Sequence, residues 1–120
     1  MQETGGIIDK KILIQLIDDV GLDNAEAVLD AFLDELESQA RILVAAAHEN
    51  NLDRIAEAAH RLKSTTASIG ANAMNNAVIS MEQAAKTTQL ETIDQLIGGF
   101  QTLADKTVKE MAVIRQGLLA

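Results

Sequence analysis

Residues 58–71 read AAHRLKSTTASIGA and hold one of only two histidines in a chain of 120 residues. His60 is followed by Arg61, Lys63 and Ser64, so an imidazole, two cations and a hydroxyl fall within five positions. If the stretch is helical, residues three and four apart share a face. His60 then has Ala56, Glu57, Lys63 and Ser64 as neighbours, with Ala67 one turn beyond Lys63. Most of these side chains are small, so another protein could approach the ring closely. From 54 to 68 the formal charge is +2 (Arg54, Arg61 and Lys63 against Glu57), whereas the whole chain carries −8. An ammonium one turn from an imidazole suits a phosphoryl group on the ring or an incoming anion. The hydroxyl of Ser64 could donate to the same group.

Other chemistries fit less well. There is no Cys, which removes disulfides, thiolate metal sites and a cysteine nucleophile. Glu57-Ala-Ala-His60 is a Glu-x-x-His pair, but carboxylate-bridged metal bundles need that pair on two helices and further glutamates. The second histidine, His48, has alanine at position 45, so no second copy exists and no native metal site is expected. His48 reads instead as a cation favoured in the last turn of a helix. No glycine-bracketed serine, phosphate-cradling glycine loop or paired-carboxylate signature is present. The pairing of His60 with Ser64 lacks an orienting acid and an oxyanion hole. A net charge of −8 argues against nucleic-acid binding, and two Phe with no Trp or Tyr cannot build a base-stacking platform. No window offers the ~18 apolar residues of a membrane span, and no helix has the basic polar face of a membrane-surface helix. The opening MQETGGIIDKK lacks the features of a secretion signal. A cytoplasmic location is expected, and what remains is a protein partner or a small anion.

The elements that must position these residues are helices. Proline is absent and alanine abundant, and nothing alternates with period two long enough for a strand. The pattern predicts a short helix over 8–20, then helices over 23–49, 52–69, 72–86 and 89–117. Asp23 or Asn24 would cap the second, Asn72 the fourth, and Thr88 with Glu91 would form a capping box for the fifth. Asn50-Asn51 and Gly70 mark turns. Apolar stripes run through Leu29, Phe32, Leu36, Leu43 and Ala47; Ile55, Ala58, Leu62, Thr65 and Ile69; and Met74, Ala77, Met81 and Ala84. The longest joins Ile93, Ile97, Phe100, Ala104, Thr107, Met111, Ile114 and Leu118, with Gly98-Gly99 able to bend its helix. The expectation is all-α: one domain over 1–120, an antiparallel up-down four-helix bundle with a short N-terminal helix packed across it. On the third helix His60 falls opposite the core stripe, in solvent.

The run Ala59-His60-Arg61-Leu62-Lys63, then Ser64-Thr65-Thr66 and Ile69-Gly70-Ala71, resembles the signature of histidine-containing phosphotransfer (HPt) domains, A-H-x-L-K-G-S-S followed by an apolar residue and Gly-Ala. Phe32-Leu33, Asn50-Asn51-Leu52 and Met81-Glu82-Gln83-Ala84 also sit where that family has comparable residues, so the likeness covers about 25–90. Ser64 departs from the usual glycine; serine occurs there in some members, notably the small free-standing HPt proteins of bacterial quorum-sensing phosphorelays, which this chain resembles in length and layout. The resemblance implies a phosphocarrier and not an enzyme. His60 would accept a phosphoryl group from an aspartate of a response-regulator receiver domain and pass it to another receiver. Lys63 would stabilise the phosphate and Ser64 could hydrogen-bond it, with Arg61, Ala56 and Ala67 around the ring. Glu35 and Glu82 would border the same surface and orient the imidazole. The chain would need no cofactor of its own, the Mg²⁺ being supplied by the receiver. The implied partners are receiver domains and a hybrid sensor kinase, and the chain is expected to be a monomer and free-standing. A helical adaptor that binds receivers without being phosphorylated is the alternative.

Overall fold

The computed structural model describes residues 7–119, with side chains through Gly117. The side chain of Leu118, expected at the end of the longest stripe, and residues 1–6 of the opening segment lie outside that description. Five helices follow one another: α1 Lys10–Val20, α2 Leu22–His48, α3 Leu52–Ser68, α4 Asn72–Lys86 and α5 Leu90–Leu119. No strand occurs among the described residues. In chain order α2 packs on α3, α3 on α4 and α4 on α5, and α5 returns against α2, while α1 lies on α2 and α3.

The stripes read from the sequence supply the core. The α3 positions Ile55, Ala58, Leu62 and Thr65 and the cap residue Ile69 are all buried, joined by Ala59 and Thr66. In α5, Ile93, Phe100, Ala104, Thr107, Met111 and Ile114 are buried and Ile97 half-buried. Each fully buried Leu, Ile, Phe or Met contributes roughly 1.5–3 kcal/mol relative to exposure, so these stripes outweigh local propensity in deciding the fold. α5 runs without interruption through Gly98-Gly99, where a Cβ at either position would meet no neighbouring atom. Burial of the flanking Ile93 and Phe100 carries the helix across the weak point.

The helix ends differ from the sequence expectation. Gly21, with φ 83°, precedes α2 and makes no side-chain cap, whereas Asn24 turns back to donate to the Val20 carbonyl at 2.9 Å. Asn72 is the first residue of α4 rather than its cap; Ala71 stands at the cap without a side-chain bond. Thr88 does not open α5. It closes α4 in the left-handed region at φ 57°, with its N–H donating to Ala85 and that of Gln89 to Ala84. Asn50 and Gly70 end α2 and α3 by the same pair of bonds. Gly70 is needed twice over: its φ is 75°, and an added Cβ would lie 2.7 Å from the Asp9 carbonyl oxygen. The Asp9 N–H donates to the Gly70 carbonyl at 2.7 Å, which fixes the start of α1 to the α3–α4 turn.

Candidate functional site

The site lies on the seam between α3 and α4. Asn51 starts α3 by accepting from the Arg54 N–H at 3.2 Å. With Ile55, Ala58, Ala59 and Leu62 turned inward, helical geometry leaves His60 outward, and its side chain is 69 % exposed. Its ring is not loose. Nδ1 lies 3.1 Å from Oε2 of Glu82, which reaches across from α4.

Glu82 is the electrostatic centre. It falls among the buried α4 residues Met81, Ala84 and Ala85, and only 7 % of its side chain is exposed. A carboxylate is rarely so buried without partners. Here Lys63 donates to Oε1 at 2.8 Å and Lys86, one turn along α4, places its ammonium 3.3 Å from Oε2. The hydrogen bond from Lys63 is the main reason that the carboxyl is held at about 2 instead of the ordinary 4.5; burial opposes it, and Lys86 and His60 assist. Glu82 is therefore ionised throughout the physiological range and can only accept. It follows that the neutral imidazole carries its proton on Nδ1, facing Glu82, and presents the Nε2 lone pair to solvent. An exposed lone pair with an ammonium one turn away can attack an electrophile such as phosphorus.

A second contact sets the height of α4 against α3. The Asn75 amide, two turns before Glu82 on the same helix, donates to the Lys63 carbonyl at 2.9 Å and to Thr66 Oγ1 at 3.0 Å. Thr66, fully buried, donates in turn to the Leu62 carbonyl at 2.7 Å. The backbone of the residue that faces Glu82 is thus gripped by the helix that carries Glu82.

Not every residue singled out in the sequence is brought here. Lys63 is only 39 % exposed, its ammonium drawn onto Glu82. Arg61, Ser64 and Ala67 are exposed and Ala56 half-buried, and among the described residues the Ser64 hydroxyl makes no hydrogen bond. Glu35 does not join the cluster. It is half-buried on α2 beside Asp34, Ser38 and Arg41, and no hydrogen bond or ion pair connects it to His60 among the described residues. Glu82 alone takes the ring nitrogen, so orientation needs no second carboxylate. Two residues were missed. Lys86 was legible as the i+4 partner of Glu82, and Asn75 only as a polar residue interrupting the apolar face of α4.

Residues 27–112, which include the exposed His60 and the buried Glu82, match the Hpt domain family model, and the chain belongs to that family. Among its relatives is the phosphorelay protein LuxU of Vibrio vulnificus strain YJ016, 32 % identical over 80 residues, which span 67 % of this chain and 70 % of the relative. LuxU of Vibrio harveyi is 31 % identical over 85 residues, 71 % of this chain and 75 % of the relative. The crystal structure of histidine-containing phosphotransfer protein B (HptB) from Pseudomonas aeruginosa PAO1 superposes with a TM-score of 0.85, covering 94 % of this chain and 97 % of that one, at 22 % identity. That last likeness shows a shared fold.

Proposed function

We propose that the chain is a phosphorelay intermediate that carries a phosphoryl group on Nε2 of His60 between aspartates of receiver domains. The carrying observation is the exposed imidazole whose Nδ1 is engaged by the buried, ionised Glu82. In the forward step the Nε2 lone pair forms a bond to phosphorus as the P–O bond of the aspartyl phosphate breaks, and the aspartate leaves with that electron pair. The ring keeps its Nδ1 proton and becomes cationic, opposite the Glu82 carboxylate. In the return step a receiver carboxylate oxygen attacks phosphorus and the ring departs as the neutral Nδ1–H imidazole, so no proton has to move. Transfer of this kind depends on positioning and on neutralising the equatorial oxygens. Lys63 supplies a cation from this chain; the receiver supplies Mg²⁺. Ser64 can donate to a phosphoryl oxygen, and the short side chains of Ala56 and Ala67 leave room for the visiting domain, with Arg61 at its edge.

The whole chain acts as one Hpt unit in this reading. Helices α2 to α5 form the antiparallel bundle and α1 lies across it, with exposed Ile12, Ile14 and Leu22 offering an apolar rim for the receiver. A cytoplasmic monomer fed by a hybrid sensor kinase fits this arrangement, as does the LuxU likeness. The test is incubation with a ³²P-labelled, phosphorylated receiver domain. Acid-labile, alkali-stable label on the wild type and none on His60→Gln is the expected result. Label that persists on His60→Gln refutes the site, and no label on either leaves an adaptor that only binds receivers.

A further inference from the structure

Lys86 lies outside every residue role argued so far. An i,i+4 Glu–Lys pair on an exposed helix face is ordinarily worth only a few tenths of a kcal/mol. This pair is different because its acid is buried and shared. Oε1 of Glu82 is taken by Lys63 and Oε2 by both His60 and Lys86. No charged side chain of α1, α2 or α5 reaches ion-pair distance of Glu82 among the described residues.

Lys63 is therefore committed to Glu82 in the unloaded protein, although a phosphoryl group on His60 would need it. We propose that Lys86 is a positioning residue that acts through Glu82: it remains on the buried carboxylate as counter-ion and so frees Lys63 to follow the phosphoryl group. The inference rests on the phosphocarrier reading above and deepens it.

The geometry divides the two lysines. Lys63 stands three residues after His60 on α3, on the same face, and a flexible four-carbon stem lets its ammonium swing from Oε1 to a group on Nε2. Lys86 approaches from the far end of α4, a turn beyond Glu82, and holds the other carboxylate oxygen; its side chain is 62 % exposed. Removing Lys63 from Oε1 leaves Oε2 with both of its partners. If Lys86 were absent, the same movement would leave a nearly buried carboxylate facing only the ring, and an under-compensated buried charge is strongly unfavourable. Glu82 would then retain Lys63. Charge balance agrees. In the unloaded cluster the two ammoniums exceed the carboxylate by one charge. Loading adds a phosphoryl group of about −2 and makes the ring cationic, which brings the cluster to neutrality only if Lys86 is present.

Phosphoramidate serves as a donor that needs no partner protein: Nε2 bonds to phosphorus as the donor P–N bond breaks and ammonia leaves with that pair. Loading of His60 is followed by ³¹P NMR in wild type, Lys86→Met, Lys86→Arg, Glu82→Gln and the Glu82→Gln/Lys86→Met pair, each checked for folding by circular dichroism. Lys86→Met should load about threefold more slowly, the size of an exposed charge contact, and Lys86→Arg at the wild-type rate. In the Glu82→Gln background Lys86→Met should change nothing, because Lys63 is already released. Loading of Lys86→Met at the wild-type rate, or equal slowing in both backgrounds, overturns the role through Glu82. A wild type that takes no phosphoryl group on His60 overturns the phosphocarrier reading and this inference with it.

Discussion

Replacing Glu82 with glutamine keeps the shape of the side chain and removes its charge, so its effect on stability should depend on pH in a defined way. The Glu82 carboxyl is held at about 2, below its ordinary 4.5, chiefly by the Lys63 ammonium. At about 1.4 kcal/mol per pH unit, this lowering corresponds to about 3 kcal/mol in favour of the folded, ionised form. Lys63 and Lys86 are 39 % and 62 % exposed, and solvent screening of these partners reduces the net figure to about 1–2 kcal/mol. Because the folded value lies below the unfolded one, the stabilisation is complete above pH 4.5 and disappears as pH falls from 4.5 to about 2. Urea unfolding of wild type and Glu82→Gln at pH 7, 4 and 2.5 isolates the contribution, since other titrating groups are common to both. The variant should be less stable at pH 7 by about 1–2 kcal/mol, and the gap should close steadily below pH 4.5. A gap that is absent at pH 7, or that persists unchanged at pH 2.5, would refute the account of the buried carboxylate.

Lys63→Ala should remain folded, losing about 1 kcal/mol in urea titration, while phosphoryl transfer from a labelled receiver slows markedly; an unaltered rate would remove its role. Asn75→Ala deletes the bonds to the Lys63 carbonyl and Thr66, and should cost about 1–2 kcal/mol in thermal unfolding. Gly99→Ala lies within α5 in open space and should stabilise by about 0.5–1 kcal/mol, seen as a higher Tm.

The sequence was most informative where a single helix decides the outcome. The α3 stripe puts Ile55, Ala58, Leu62, Thr65 and Ile69 inside and His60 outside through the helical repeat alone. Contacts between helices were less legible, because they depend on how α4 is rotated and shifted against α3. No local signal says that Glu82 meets His60 and Lys63 whereas Glu35 meets neither. Helix ends were misread for a related reason. α4 ends at Lys86 as the sequence predicts, but Thr88, which resembles a cap in sequence, spends its N–H on Ala85 in a left-handed turn that closes α4, and α5 starts only at Leu90.

The most direct measurement is NMR of the protein carrying ¹⁵N-histidine, after loading from a phosphorylated receiver domain. ³¹P–¹⁵N coupling should place phosphorus on Nε2 of His60, with the proton retained on Nδ1. Phosphorus on Nδ1, or on any other side chain, would contradict an imidazole anchored by Glu82.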